Sequence, residues 1–423
     1  MISERFTKIY VACYLLSISI AFFLSSYSNY RLTEAISYNT NDGWCDPSTQ
    51  GIGNHCFGDY YYPLSLATSD SPWSGSPNPY PPLALAVYKP FEYLTDVLGA
   101  RSALLTYIGF LIACLVGTLI FVIKKNKLQG MNYTLVLLAT VGSAPILSVI
   151  DRGNSAILLF PIVYFWIVSV KNRNPNHILI LSCMAASLRP QFLSLCLILL
   201  FLGEIKFFVK SIILSFLSIF LSFILFGNNV FTNFVHWAVQ IIRYQEYAAV
   251  ASIFPVNVSF SNSIHLVFKV MNVNVSEIGV KILTYLLFLL FVWLYWRNRD
   301  HLPTTLKIIS VLITPIFFVG TAFHYYLFII SLIFINYVLE NKVDIDRQHT
   351  RSKFTKFYSF VTRLLFLLVL IPWALPWGIF PGLDASRGWP VIGIQWALAQ
   401  GTFMVFALLT FYVYPQINVR IRK

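Results

Sequence analysis

Ser102–Ile123 reads SALLTYIGFLIACLVGTLIFVI and carries no charged residue. A bilayer crossing takes ~20 consecutive apolar residues, so this stretch is long enough to span hydrocarbon. It stops on Lys124-Lys125-Asn126-Lys127, and such cationic flanks stay on the cytoplasmic side of a membrane. Working outward from it, the pattern recurs along the chain. Of 423 residues, 57% are hydrophobic and 11% charged, with a mean hydropathy of +0.69. That balance leaves too little polar surface to coat a soluble core. The sequence therefore predicts an all-α polytopic membrane protein in a single integral domain, residues 1–423.

Apolar runs place about twelve membrane segments, near 9–26, 102–123, 131–149, 155–171, 178–188, 190–203, 211–227, 280–296, 308–321, 324–340, 358–379 and 391–414. The first, with Arg5 and Lys8 before it, has the look of a signal peptide, but its length and the spans after it favour a retained crossing. Ile178–Leu188 and Pro190–Gly203 are too short to cross alone and are expected to be half-helices meeting at Arg189-Pro190, since proline ends or kinks a helix. A second break is expected at Gly320–His324. With both termini cytoplasmic, 21 of the 30 Lys and Arg fall inside, which fixes the orientation of a multi-pass plasma-membrane protein, expected to be bacterial. The formal charge of +13 is thus accounted for by topology, and nucleic acid is not an expected partner.

Two extracytoplasmic segments are large, 26–101 and 228–279. In the first, Pro81-Pro82 opens a helix expected at the interface or as a lid on the bundle, and the Ser/Pro/Gly-rich piece between Asp59 and Tyr80 is expected to be free to adapt. In the second, Phe231, Phe234, Trp237, Ala238, Ile241, Ile242 and Tyr244 recur at helical spacing beside polar Asn233, Gln240, Arg243 and Glu246. This reads as an amphipathic helix at the interface or a lid on the bundle. Cys45 and Cys56 share the first loop and are expected to form a disulfide in an oxidising compartment. Cys13, Cys114, Cys183 and Cys196 lie in spans as small apolar side chains. No Cys/His/Asp spacing fits a metal, and no cofactor is expected.

Ionisable residues of a transporter would line a path near the midplane. Here Asp59, Lys89, Asp151, Arg152, Arg189 and His324 all map to outer ends of spans. A carboxylate among cations beside lipid fits chemistry on an anionic, lipid-borne substrate. Each has a plainer reading: Asp59 as a turn residue, the arginines as headgroup anchors, His324 as a backbone partner, and Tyr60–Tyr62 with Tyr80 as an aromatic belt. Asp42, Asp46 and Asp70 stay open as alternative bases.

Four stretches add a resemblance. Asp59 with Tyr62, followed by Tyr80-Pro81-Pro82-Leu83-Ala84, resembles the first outer loop of glycosyltransferase family 87, the polyprenol-phosphate-mannose-dependent mannosyltransferases. Asp151-Arg152-Gly153-Asn154-Ser155 is similar to that family's Gly-x-x-Asn stretch, Leu188-Arg189-Pro190-Gln191 to its Leu-Lys-Pro-Gln element, and His324-Tyr325-Tyr326 to its late Trp-x-His-Tyr. The order agrees, although Arg189 replaces a commoner Lys, Ala322 stands where Trp would, and an insertion carrying Cys45 and Cys56 precedes Asp59.

The resemblance implies a C-type membrane glycosyltransferase (GT-C) helix bundle with its site at the outer face. It implies a hexosyltransferase taking a sugar, typically mannose, from a polyprenyl phosphate to a glycolipid or glycan of the cell envelope. In it Asp59 is the general base and His324 assists, while Arg152, Arg189, Asn154, Tyr62, Tyr80 and Lys89 are expected to bind substrate. A polymerase or ligase of envelope polysaccharide is the alternative enzyme, and a transporter or flippase the alternative class.

Overall fold

The computed structural model describes residues 4–27, 57–69, 71–75, 78–227, 229–250, 259–261, 264, 268, 273, 276–318, 324–343 and 363–371. Cys45 and Cys56, the alternative bases Asp42, Asp46 and Asp70, and the expected span 391–414 lie outside them. Among the described residues every regular element is helical.

The chain begins with α1 (Glu4–Tyr27), then α2 (Gly58–Ala67), α3 (Pro82–Ala86), α4 (Lys89–Leu98) and α5 (Ala100–Asn126). The opening stretch is the heart of α5, which ends where Lys127 turns left-handed at φ 49°. Then come α6 (Gly130–Leu138), α7 (Ala144–Asp151), a 3-10 turn at Ser155–Leu158, α8 (Leu159–Lys171) and α9 (Pro175–Leu188). The expected span 131–149 is therefore two helices. Ser143 is extended at its start (φ −77°, ψ 144°), Pro145 sits in the first turn of α7, and the hydroxyls of Thr140 and Ser143 bond backward to Val136 and Thr140 carbonyls. Proline is welcome at a helix start and not inside one.

After α9 the chain breaks where expected. Arg189 is extended (φ −149°, ψ 107°), and Pro190 opens a 3-10 stretch to Cys196 that continues as α10 (Leu197–Phe201). Next are α11 (Ile205–Ser222), α12 (Val230–Val250), α13 (Glu277–Arg297) and α14 (Thr304–Phe317). A 3-10 turn at His324–Leu327 leads into α15 (Phe328–Val343); residues 320–323, where the second break is expected, lie outside the described residues. Three helical runs among the described residues are long and apolar enough to cross a bilayer: Ala100–Asn126, Ile205–Phe226 and Ile278–Arg297.

The chain divides into two compact units interleaved in sequence. The first comprises Met1–Ser65, Tyr88–Pro161 and Tyr325–Gln395. In it α4 packs along α5, and α6 touches α1 and α15. Polar ties fix these helices, with Tyr14 donating to the Gly142 carbonyl (3.0 Å) and Ser143 meeting Ser331 (3.2 Å). The second unit comprises Leu66–Val87, Ile162–His324 and Trp396–Lys423. Its centre is α9 against α11, joined by a ladder of small polar groups: Ser187 to Ser218 at 2.8 Å, Ser215 to Cys183 at 3.4 Å and Cys196 to Ser211 at 2.9 Å. In a chain with an apolar exterior, such ladders and the close approach of small residues supply helix adhesion.

The two helices expected at the interface or as lids both bury one side within the second unit. α3 buries Pro82, Ala84 and Leu85 against α9 and α11. α12 turns Trp237 and Gln240 inward, at 6% and 3% exposure, and leaves Phe231 and Ile242 outside at 70% and 60%. Gln240, grouped with the polar face by sequence, belongs to the buried one.

Candidate functional site

In the first unit, α2 begins at Gly58 and its second residue is Asp59. The Asp59 backbone N–H donates to the Arg152 carbonyl at 3.2 Å, so the helix start seats on the turn that ends α7. The side chain follows. Arg152 donates from Nε to Asp59 Oδ2 at 2.6 Å and from Nη2 to Oδ1 at 3.0 Å, and Asn154 donates from Nδ2 to Oδ2 at 2.8 Å. A planar guanidinium meeting both carboxylate oxygens is the strong, direction-setting form of ion pair. The two side chains are 15% and 14% exposed, close enough to bulk water to be reached and dry enough for the pair to matter.

Asn154 uses both ends of its amide. Its Oδ1 accepts from Ala156 N–H at 2.8 Å, capping the 3-10 turn, which orients Nδ2 toward Asp59. Tyr88 adds a strut: its hydroxyl donates to the Asp59 carbonyl at 3.0 Å and accepts from Ser155 N–H at 3.3 Å. Beneath lies an aromatic floor of Tyr60, Tyr88, Tyr107 and Phe91, with ring centroids of Tyr60–Tyr107 at 4.8 Å and Phe91–Tyr107 at 4.9 Å. Each such pair contributes ~0.5–1.5 kcal/mol beyond its buried area. Tyr60 is fully buried while Tyr62 is exposed, so the belt reading fails for Tyr60. Burial pushes the Tyr60 hydroxyl up to about 12, which keeps it protonated and out of proton transfer near neutral pH.

Gly153 explains how α2 comes so near. Its φ is +62°, and a Cβ there would lie 3.0 Å from Tyr60 Cβ and 3.4 Å from Phe57 Cδ1. Both the backbone conformation and the contact exclude a side chain. Gly153→Ala is expected to cost about 1–2 kcal/mol from conformation alone. Because the clash pushes on α2 rather than on a flexible tip, it is also expected to lower activity more than a mere loss of stability would. Thermal melting beside activity at a permissive temperature checks this; full activity at that temperature would show that α2 can retreat harmlessly.

In the second unit, described residues between α2 and α3 are tied down. Trp73 is 1% and Asn78 0% exposed. Trp73 Nε1 donates to the Tyr80 carbonyl at 3.0 Å, Asn78 Nδ2 to the Pro72 carbonyl at 3.1 Å, and Tyr80 N–H to Asn78 Oδ1 at 2.9 Å. Indole and amide side chains close the segment on itself, contrary to the expectation of an adaptable piece. Tyr80, 9% exposed, lies under the Arg189 guanidinium, whose Cζ is 4.7 Å from the ring centroid. The break after α9 makes this possible: an extended Arg189 leaves the helix instead of winding along it. Arg189 is 5% exposed, and Gln191 beside it has a buried Nε2 that meets no acceptor among the described residues.

The structure thus brings Asp59, Arg152 and Asn154 together in one unit and Arg189 and Tyr80 together in the other. Tyr62 stands one helical turn after Asp59, and Lys89 is the first residue of α4. His324 opens its 3-10 turn; its side chain and that of Asp151 lie outside the described residues. Tyr88, Trp73 and Gln191 carry no signal of their own in the sequence, although Gln191 stands inside a motif that does.

Among the described residues the elements are helical, some of them long and apolar enough to cross a bilayer, and set beside a family comparison they define a class, the membrane glycosyltransferases. Residues 78–319 match glycosyltransferase family 87, more than half of the chain, and the chain belongs to that family. The matched segment begins after Asp59 and ends before His324. A search of curated proteins found no match.

Proposed function

We propose that this glycosyltransferase moves one hexose, mannose, from a polyprenyl phosphate to a hydroxyl of a cell-envelope glycolipid or glycan at the outer membrane face. The observation that carries the reading is the Asp59 carboxylate, aimed by Arg152 and Asn154. The acceptor hydroxyl oxygen attacks the anomeric carbon as the sugar–phosphate C–O bond breaks, and the phosphate departs with the electron pair. The hydroxyl proton passes to Asp59. A carboxylate serves as base because sugar transfer runs through an oxocarbenium-like state in which the proton moves late. A single displacement inverts the anomeric centre.

Arg189 is the residue assigned to the leaving phosphate, with His324 assisting. Its fork suits phosphate oxygens, its charge lies in a dry setting where fixed electrostatics count most, and the Gln191 amide supplies a further donor. Arg152, committed to Asp59, orients the base. Tyr62 and Lys89 are assigned to the sugar and acceptor.

The test is incubation of purified protein with polyprenyl phosphate mannose and a membrane glycolipid extract, read by mass. A gain of one hexose on a lipid, with the released polyprenyl phosphate, is expected. Transfer only from a diphosphate-linked oligosaccharide would replace the reading with polymerase or ligase chemistry, and labelled substrate crossing the membrane without product would replace it with transport.

A further inference from the structure

We infer that Trp237 and Gln240 of α12 are positioning residues for Arg189. The inference rests on the proposed donor reading and deepens it, since it says what sets the phosphate affinity of that arginine. Gln240 Nε2 donates to the Trp73 carbonyl at 2.9 Å and the Gly75 carbonyl at 3.3 Å, and Trp237 Nε1 donates to the Pro79 carbonyl at 3.3 Å. With Trp73 Nε1 on the Tyr80 carbonyl, side-chain donors hold the carbonyls of residues 73, 75, 79 and 80.

Among its described residues the segment has no helix or strand of its own to do this, and a buried carbonyl without a partner is costly. Trp73 and Asn78 tie it from within, and α12 supplies the hold from outside. Trp73 is gripped from a further side, with ring centroids 4.9 Å from Phe223 and 5.4 Å from Phe226. Tyr80 is the last residue of the held segment and the floor under the Arg189 guanidinium. The chain of contact runs from α12 through three carbonyls, and through the Trp73 indole on a fourth, to one ring and one cation. Gln240 acts only through its donor end, because Oε1 meets no donor among the described residues.

The test uses the full-length protein, with Trp237→Phe, Gln240→Met and both together. Trp237→Phe keeps an aromatic ring and removes only the N–H, so it remains informative if the double variant folds poorly. One arm needs no substrate: the rate at which phenylglyoxal modifies Arg189, followed by peptide mass mapping with the exposed Arg173 as internal reference. The other is the dissociation constant for sugar-free polyprenyl phosphate.

In the double variant, Arg189 modification is expected to rise about tenfold, the equilibrium weight of one or two hydrogen bonds. Modification of Arg173 is expected to hold, the melting temperature to fall modestly as the freed carbonyls lose their donors, and polyprenyl phosphate to bind about tenfold more weakly. Gln240→His, which keeps an N–H donor near the position of Nε2, is expected to restore most of both. Arg189 modified no faster than in the wild type would overturn the positioning role whatever the lipid does. Unmasking of Arg189 with unchanged lipid affinity would overturn the link to the donor. A wild-type protein that ignores polyprenyl phosphate would sink the donor reading, leaving the positioning role to be decided by the first arm.

Discussion

Asp59→Asn is expected to lower the turnover of sugar transfer by about 10²–10⁴-fold, the range for losing a positioned general base. The geometry makes a simple loss ambiguous, because the substitution also leaves Arg152 without its counter-charge. Breaking a mostly buried ion pair from one side costs about 3 kcal/mol, the lower end of the buried range, since both side chains keep some contact with solvent. A companion variant separates the two effects. Asp59→Asn with Arg152→Gln removes both charges and is expected to regain much of the lost melting temperature while staying inactive. Near-normal turnover in that neutral double variant would show that the carboxylate only fastens α2 to the turn at Arg152.

Arg189→Ala is expected to raise the KM for a polyprenyl-phosphate donor by about 10–100-fold, the weight of one charge-assisted hydrogen bond at ~1.5–3 kcal/mol. The acceptor KM is expected to hold. Arg189→Lys keeps the charge but gives up the planar fork and its stacking on Tyr80, so an intermediate KM is expected. Steady-state kinetics with donor and acceptor varied separately checks both. An equal rise in the two KM values would mark Arg189 as a structural cation whose loss loosens the break after α9.

The sequence made the apolar helices legible because hydropathy is a sum over many residues and tolerates local error. It also made the break at Arg189-Pro190 legible, because proline forbids a hydrogen bond whatever its surroundings. Pro145 carries the same signal, but the apolar run around it satisfies a span by composition alone and hides the break. The residues of the candidate site were legible one by one. Their pairing was not: Asp59 and Arg152 meet across ninety-three positions of sequence, and no local pattern encodes which carboxylate a given arginine takes. Tyr60 and Tyr62 show the same limit, standing in one run of three tyrosines yet one wholly buried and the other 40% exposed. The stretch around Trp73 looks adaptable because Ser, Pro and Gly dominate it, whereas Trp73, Asn78 and two donors on α12 hold it.

The Asn154-Ser155 bond has one more consequence, for how the protein ages. Asparagine before a small residue is a place where chains deamidate, when the next backbone nitrogen attacks the side-chain carbonyl carbon and closes a cyclic imide. Here that nitrogen is turned toward the Tyr88 hydroxyl, and the side-chain carbonyl oxygen is held by Ala156 N–H. Both reacting groups are engaged by the bonds that aim the amide at Asp59, and closing the ring would require breaking the one from Ser155 N–H. Folding thus shields the very residue whose conversion to Asp would set a second carboxylate against the first.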